Sequence, residues 1–275
     1  MIECRRILAA GVLMGAMAGP SLADDGVATV RYDLSIAGLP IGSASLTVLI
    51  RNKNYRADVS AKIGGVLSLV SDGRGSASAN GRIGAERPRV ASYALSSQSE
   101  KRVTTVRMAM SDGSIADLAI NPEPPPRPDR IPVTPAHKRG VIDPVSALLM
   151  PVAGKGDVLA PASCNRTLPI FDGAQRYDIT LSYDRTEKIA DAKGGYRGEA
   201  IVCSARYVPI SGHRARREQI RYMADNRDME VWLAPVEGTR VLAPFKIVVA
   251  TQVGRLVIGA RQFQSTTPTM SAEAN

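Results

Sequence analysis

Two runs decide the fold: RYDITLSY at 176–183 and AIVCSARY at 200–207. In the first, Tyr177, Ile179, Leu181 and Tyr183 alternate with Asp178, Thr180 and Ser182. In the second, Ile201, Cys203, Ala205 and Tyr207 alternate with polar or small residues. A period of two places the apolar set on one face of an extended chain, so both runs are predicted as strands with one buried face. Cys164 and Cys203 bracket the first run, and the third cysteine, Cys4, lies in a segment expected to be removed. An even pair in an oxidising compartment reads as one disulfide, Cys164 to Cys203. Closing a loop of about 40 residues would stabilise the fold by roughly 4 kcal/mol on the chain-entropy argument. The plainer alternative is two unpaired buried cysteines. A zinc site is not expected, because no third ligand stands near either one.

Working outward, the first 23 residues have the parts of a secretory signal. Arg5 and Arg6 precede an apolar run from Ile7 to Ala18, and the small residues Ser21 and Ala23 come before Asp24, so cleavage is expected after Ala23. The run of 12 residues is too short to span a bilayer, and no later stretch reaches about 18 apolar residues without a charge. Cys4 precedes the run, which argues against a lipid-anchored cysteine at the cleavage site, and Arg5-Arg6 alone is slight support for twin-arginine export. The expectation is an exported, periplasmic chain with no integral membrane segment once the signal is removed.

Cleavage would leave 252 residues, and losing Arg5, Arg6 and Glu3 takes the net charge from +9 to +8. A basic exported protein meets anionic lipid headgroups, lipopolysaccharide or peptidoglycan. Nucleic acid is not expected as a partner: export removes it, and at 4% aromatic residues the chain lacks a base-stacking platform. The core must be mainly Val, Ile, Leu and Ala.

Alternation continues along the chain. Val30, Tyr32, Leu34 and Ile36 form one phase, Leu46, Val48 and Ile50 another, and Tyr55, Ala57, Val59, Ala61 and Ile63 a third, with 51–54 as a polar hairpin connection. This is antiparallel structure with one wet face. Glycines break the pattern from Gly64 to Arg87, where Val66 to Val70 fits either a helical turn or a short strand. Strands are expected again at Arg89–Ser96, Val103–Met110 and Ile115–Ile120.

The seven prolines of Asn121 to Pro135 exclude a central strand and suit a surface excursion better than a linker. Asp143-Pro144 reads as an N-cap and first helical residue, with a helix over Val145 to Met150 ended by Pro151. Ile220–Met223 and Met229–Leu233 suggest two more strands. A hairpin turning at Val253-Gly254 joins Phe245–Val249 to Val257–Phe263. The reading is one β domain over 24–264 and a disordered tail over 265–275. About a dozen strands without a repeated helical spacer argue for an all-β barrel, sandwich or spiral.

Chemical motifs are sparse. His137 and His213 are the only histidines and belong to no metal-binding pattern, so neither metal nor cofactor is expected. No Gly-x-Ser-x-Gly elbow occurs, and the glycines between Gly64 and Gly84 lack a phosphate-loop ending. The 25 acidic residues left after cleavage single out no carboxylate pair for glycoside hydrolysis. No catalytic residue is assigned.

The densest feature is Gly212-His213-Arg214-Ala215-Arg216-Arg217, with Arg221 beyond it. On alternating geometry Arg214 and Arg216 share one face, and Arg217 and Arg221 the phase of His213. Guanidinium forks suit an anion- or partner-binding patch. The competing reading is a solvated edge strand whose charges block edge-to-edge pairing. Trp232, the single tryptophan, reads either as a core anchor or as a wall of a ligand cavity.

Several short motifs together resemble a proteobacterial family of exported proteins catalogued as domain of unknown function number three thousand one hundred and eight. They are Tyr32-Asp33-Leu34 with Gly38 and Gly42, Asp143-Pro144-Val145-Ser146-Ala147-Leu148, Phe171-Asp172-Gly173, Arg176-Tyr177-Asp178, Cys203, Tyr207-Val208-Pro209, Gly212-His213 and Trp232-Leu233. The cysteine pair looks like that of its alphaproteobacterial members. The resemblance implies a curled antiparallel sheet forming an open barrel or β-spiral with one short helix. A looser similarity points to β-spiral envelope-integrity proteins and to open barrels that carry lipoproteins. The Pro-rich insert is longer than the family pattern requires.

The functional expectation is a non-catalytic periplasmic protein supporting the cell envelope by binding a lipid, lipoprotein or envelope protein. An adaptor with a filled interior and a hydrolase acting on glycan or ester are the two alternatives.

Overall fold

A computed structural model describes residues 25–64, 73–99, 102–190 and 195–268. The expected signal, Val66–Val70 and most of the tail lie outside the described residues. The first half is a meander: β1 (Gly26–Ile36), β2 (Leu39–Arg51), β3 (Asn54–Ile63), β4 (Gly73–Arg82), β5 (Arg89–Ser99), β6 (Arg102–Ser111) and β7 (Ser114–Asn121). After a long crossing come β8 (Met150–Pro151), β9 (Arg166–Phe171), β10 (Arg176–Ile189), β11 (Gly198–Ser211), α1 (Glu218–Asp225), β12 (Met229–Val236), β13 (Val241–Thr251) and β14 (Gly254–Thr266).

The strands form one antiparallel sheet in the order β7-β6-β5-β4-β3-β2-β1-β14-β13-β12-β11-β10-β9, with β8 paired to β13 outside that path. First and last strands are thus neighbours in mid-sheet, paired from Val27–Thr266 to Ile36–Leu256. The sheet curls without closing, and its free edges are β7 and β9. A backbone strap lies between them. Val141 N–H donates to Gly113 O at 2.9 Å beside β7, Ile142 N–H to Pro169 O at 2.8 Å, and Phe171 N–H to Ile142 O at 2.9 Å on β9. The strap thus pairs main-chain groups of β9 and of the β6–β7 turn that an open barrel would leave bare at its seam.

One apolar face of the sheet forms a continuous core. Val30, Leu46, Val48, Ile50, Ala57 and Ala79 from the first half meet Leu168, Ile170, Leu181, Ile201, Leu233, Leu242 and Phe263 from the second. Val141, Ile142, Val145 and Leu149 of the strap and the turn after it fill the space between them.

Three expectations are corrected. The helix expected over Val145–Met150 is a single 3-10 turn, Ser146–Leu148. Its cap forms, since Asp143 Oδ1 accepts Val145 N–H at 2.8 Å and Ser146 N–H at 2.9 Å. The chain then turns extended so that Met150 and Pro151 pair with Leu242 and Val241, and tertiary pairing stops what the cap began. The strand expected at Ile220–Met223 is α1, the one α-helix among the described residues. Only Ile201–Ser204 of β11 pair with β12, so the chain is free to leave the sheet there. Ser265 and Thr266, expected in the tail, belong to β14 and pair with Ala28 and Val27.

Candidate functional site

The structure joins Cys164 and Cys203 in a disulfide, both fully buried, with Cα atoms 5.5 Å apart. The arginine run is not a strand. Gly212 turns it out of β11 at φ +79°, and a Cβ there would stand 2.0 Å from Ala174 O. Arg214 leaves the patch: its Nε donates to both oxygens of Asp129, at 3.0 and 2.9 Å, and holds that carboxyl below its ordinary range. Ile131 N–H donates to His213 O, and Gly212 N–H to Ile131 O. These bonds clasp the Pro-rich excursion to the end of β11. Arg217 caps α1 and Arg221 lies within it, both exposed like Arg216. The alternating geometry expected for the four arginines does not form, because the chain turns and then coils.

Trp232 is half-buried and does not belong to the core. Its neighbours Val231 and Leu233 face the core, and the indole lies on the other side of β12. There Nε1–H donates to Glu230 Oε2 at 2.9 Å, and Lys246 Nζ sits 4.5 Å from the ring centroid.

Motifs far apart in sequence meet at the seam. Asp172, its pKa raised by burial, accepts Ala174 N–H at 2.8 Å and Gln175 N–H at 2.7 Å and shapes the β9–β10 turn. Gly173, at φ +104°, presses that turn onto β6, with its Cβ position 2.7 Å from Val106. Tyr177 packs against Tyr207 with ring centroids 5.4 Å apart and planes tilted by 44°, and Arg176 pairs with Asp178 at 2.6 Å. Further inside, Tyr55 donates to Ser146 at 2.6 Å and Ser146 to Asp143 Oδ2. Burial raises the Asp143 pKa to about 6. The buried members Tyr55, Ser146 and Asp143 bond to one another and tie the turn after the strap to β3.

Two open recesses that adjoin one another lie on the other face of β2–β6. Ser45, Ser60, Ser76, Ser96 and Thr105 stand opposite one another across five strands. Such short side chains leave a groove made of two contiguous hollows of about 560 and 510 Å³, which share Ser45, Ser60, Ser76 and Ser96. Arg31, Lys62, Arg74, Arg107 and Arg261 line it, against one acid, Asp58. Asp58 is held by Arg56 at 2.8 Å, and Arg74 is fixed by Gln98 Oε1, which accepts its Nε and Nη2 at 3.0 and 2.7 Å. Residue-by-residue reading missed this site because no two of its cations are adjacent in sequence. The signal available was a serine on the wet phase of each of four strands.

Among the described residues no group of three or more His, Cys, Asp or Glu could hold a metal ion, and no helix is long and apolar enough to cross a membrane.

The curled antiparallel sheet, the strap across its seam and the single disulfide define a β-barrel-like protein. The chain belongs to the family described as protein of unknown function (DUF3108), whose profile matches residues 31–260. Among solved structures it is similar to the β-barrel-like protein of domain of unknown function DUF1849 from Brucella abortus. That likeness has a TM-score of 0.51 at 7% identity and covers 89% of this chain and 98% of the other; it shows the fold alone. No functionally curated protein matches.

Proposed function

We propose that this chain is an exported, non-catalytic envelope protein acting as an adaptor: a filled β scaffold that meets its partner on the outside. One observation carries the reading. Leu46, Ile50, Leu233, Leu242 and Phe263, in the middle of the barrel, are each at most 1% exposed, so no room for an acyl chain adjoins them, whereas the groove over β2–β6 opens outward. Export is supported by the signal-like 1–23 and by the disulfide, a bond that persists in oxidising compartments.

Two measurements test this. Fractionation of cells expressing the full chain should recover it from the envelope with Cys164 and Cys203 oxidised. Delipidated protein should take up no stoichiometric amount of an apolar fluorescent probe. Stoichiometric uptake would restore the lipid-carrier alternative, and recovery from the cytoplasm would end the envelope reading.

A further inference from the structure

We propose that the outer groove over β2–β6 is a binding site for one extended strand of an acidic polysaccharide. Charge comes first. Five cationic side chains from five different strands line the groove against a single acid that already has an arginine partner. Guanidinium groups bind carboxylates through paired N–H donors, and four of the five cations are arginines.

The lining favours a narrow polyanion. Ser45, Ser60, Ser76, Ser96 and Thr105 form a single row of short hydroxyls among the cationic side chains, a lane that one extended chain can follow. Tyr32 is the one aromatic lining residue, and its hydroxyl is committed to Pro244 O at 2.6 Å, which leaves no platform on which bases could stack. A neutral glycan would lack the aromatic face it commonly packs against, so its affinity would have to come from charge it does not carry.

The floor suits a sugar chain. Ser45, Ser60, Ser76, Ser96 and Thr105 repeat at the strand spacing of about 4.8 Å, close to the length of one pyranose unit. Each hydroxyl can donate and accept. Ser45 and Ser60 already sit 2.8 Å apart, and the Arg74–Gln98 contact holds part of the wall in place before any ligand arrives.

The experiment is calorimetric titration of the disulfide-bonded protein with an oligogalacturonate and with a neutral cello-oligosaccharide of equal length. Saturable binding of the acidic chain that weakens with added salt, and none of the neutral one, is expected. Ser76→Tyr fills the floor and Lys62→Glu reverses a wall charge; each should weaken binding about tenfold. Arg216→Glu, on the turn before α1, should change nothing. Melting curves check folding, and if Ser76→Tyr fails to fold, Lys62→Glu decides alone.

The proposal is overturned if the acidic chain does not bind, if the neutral chain binds equally, or if folded groove variants bind as before. Equal affinity for an oligonucleotide or for phosphatidylglycerol vesicles, lost in the same variants, also overturns it. The proposal deepens the adaptor reading and rests on it only for access to such a glycan. A silent titration with an envelope location sinks the groove alone, while a cytoplasmic location with a positive titration sinks the adaptor reading alone.

Discussion

Asp143 is the residue whose chemistry reaches furthest into stability. Desolvation outweighs the three hydrogen bonds its carboxylate accepts and lifts its pKa from 3.8 to about 6. A carboxyl that holds its proton more tightly when folded favours the folded state most below the unfolded pKa, and that contribution disappears as pH rises through about 6. Stability should therefore fall between about pH 4 and pH 6, by a term of the order of 3 kcal/mol. Asp143→Asn keeps an acceptor for the turn and removes the titration, so urea melts across this range should show a shallower slope than wild type; an unchanged slope would contradict the assignment. Asp172, raised in the same direction by burial, supplies what slope remains. A second prediction concerns Gly212, at φ +79° and 2.0 Å from a carbonyl at its Cβ position. Gly212→Ala should cost at least about 1–3 kcal/mol, since both conformation and space oppose it, and thermal melting will show whether it does.

At the scale of elements, the alternation of β1, β2, β3, β5, β6 and β7 was legible because each has one wet face, and the cysteine pair was legible from parity and the compartment expected from residues 1–23. What was hidden depended on distant partners. β4 passed for loop because Gly75 and Gly81 interrupt it. Yet Gly81 sits beside a bulge, its Cβ position 2.1 Å from Arg89 O, where only glycine lets β5 approach. Ile220–Met223 is too short to reveal a helical period, and the Asp143 cap announced a helix that pairing with β13 cut to one turn. Likewise the arginine run looked like a single patch until Asp129, 85 residues away, took Arg214. Two predictions belong here. Cys203→Ser should lower stability by about 3–4 kcal/mol, because the crosslink spans a separation of 39 residues; an unchanged melting temperature would show that the bond constrains little. Asp129→Ala should expose the Pro-rich excursion to limited proteolysis while leaving the far-UV circular dichroism unchanged.

At the scale of the molecule, the two halves of the chain share one core and form one sheet joined through β1 and β14. Equilibrium unfolding should be a single transition: Trp232 fluorescence, reporting the second half, and far-UV circular dichroism, reporting all strands, should trace coincident curves. Separated curves would mean that the halves unfold independently. The pairing of β1 with β14 also orders events in time. Of the described strands β1 is the first made and β14 the last, so during synthesis the edge of β1 that awaits β14 stays bare until residues 254–266 arrive. A bare edge recruits strands from other chains. For this protein the dangerous interval is therefore nearly the whole of its biogenesis, and a chain truncated before Gly254 keeps that edge permanently.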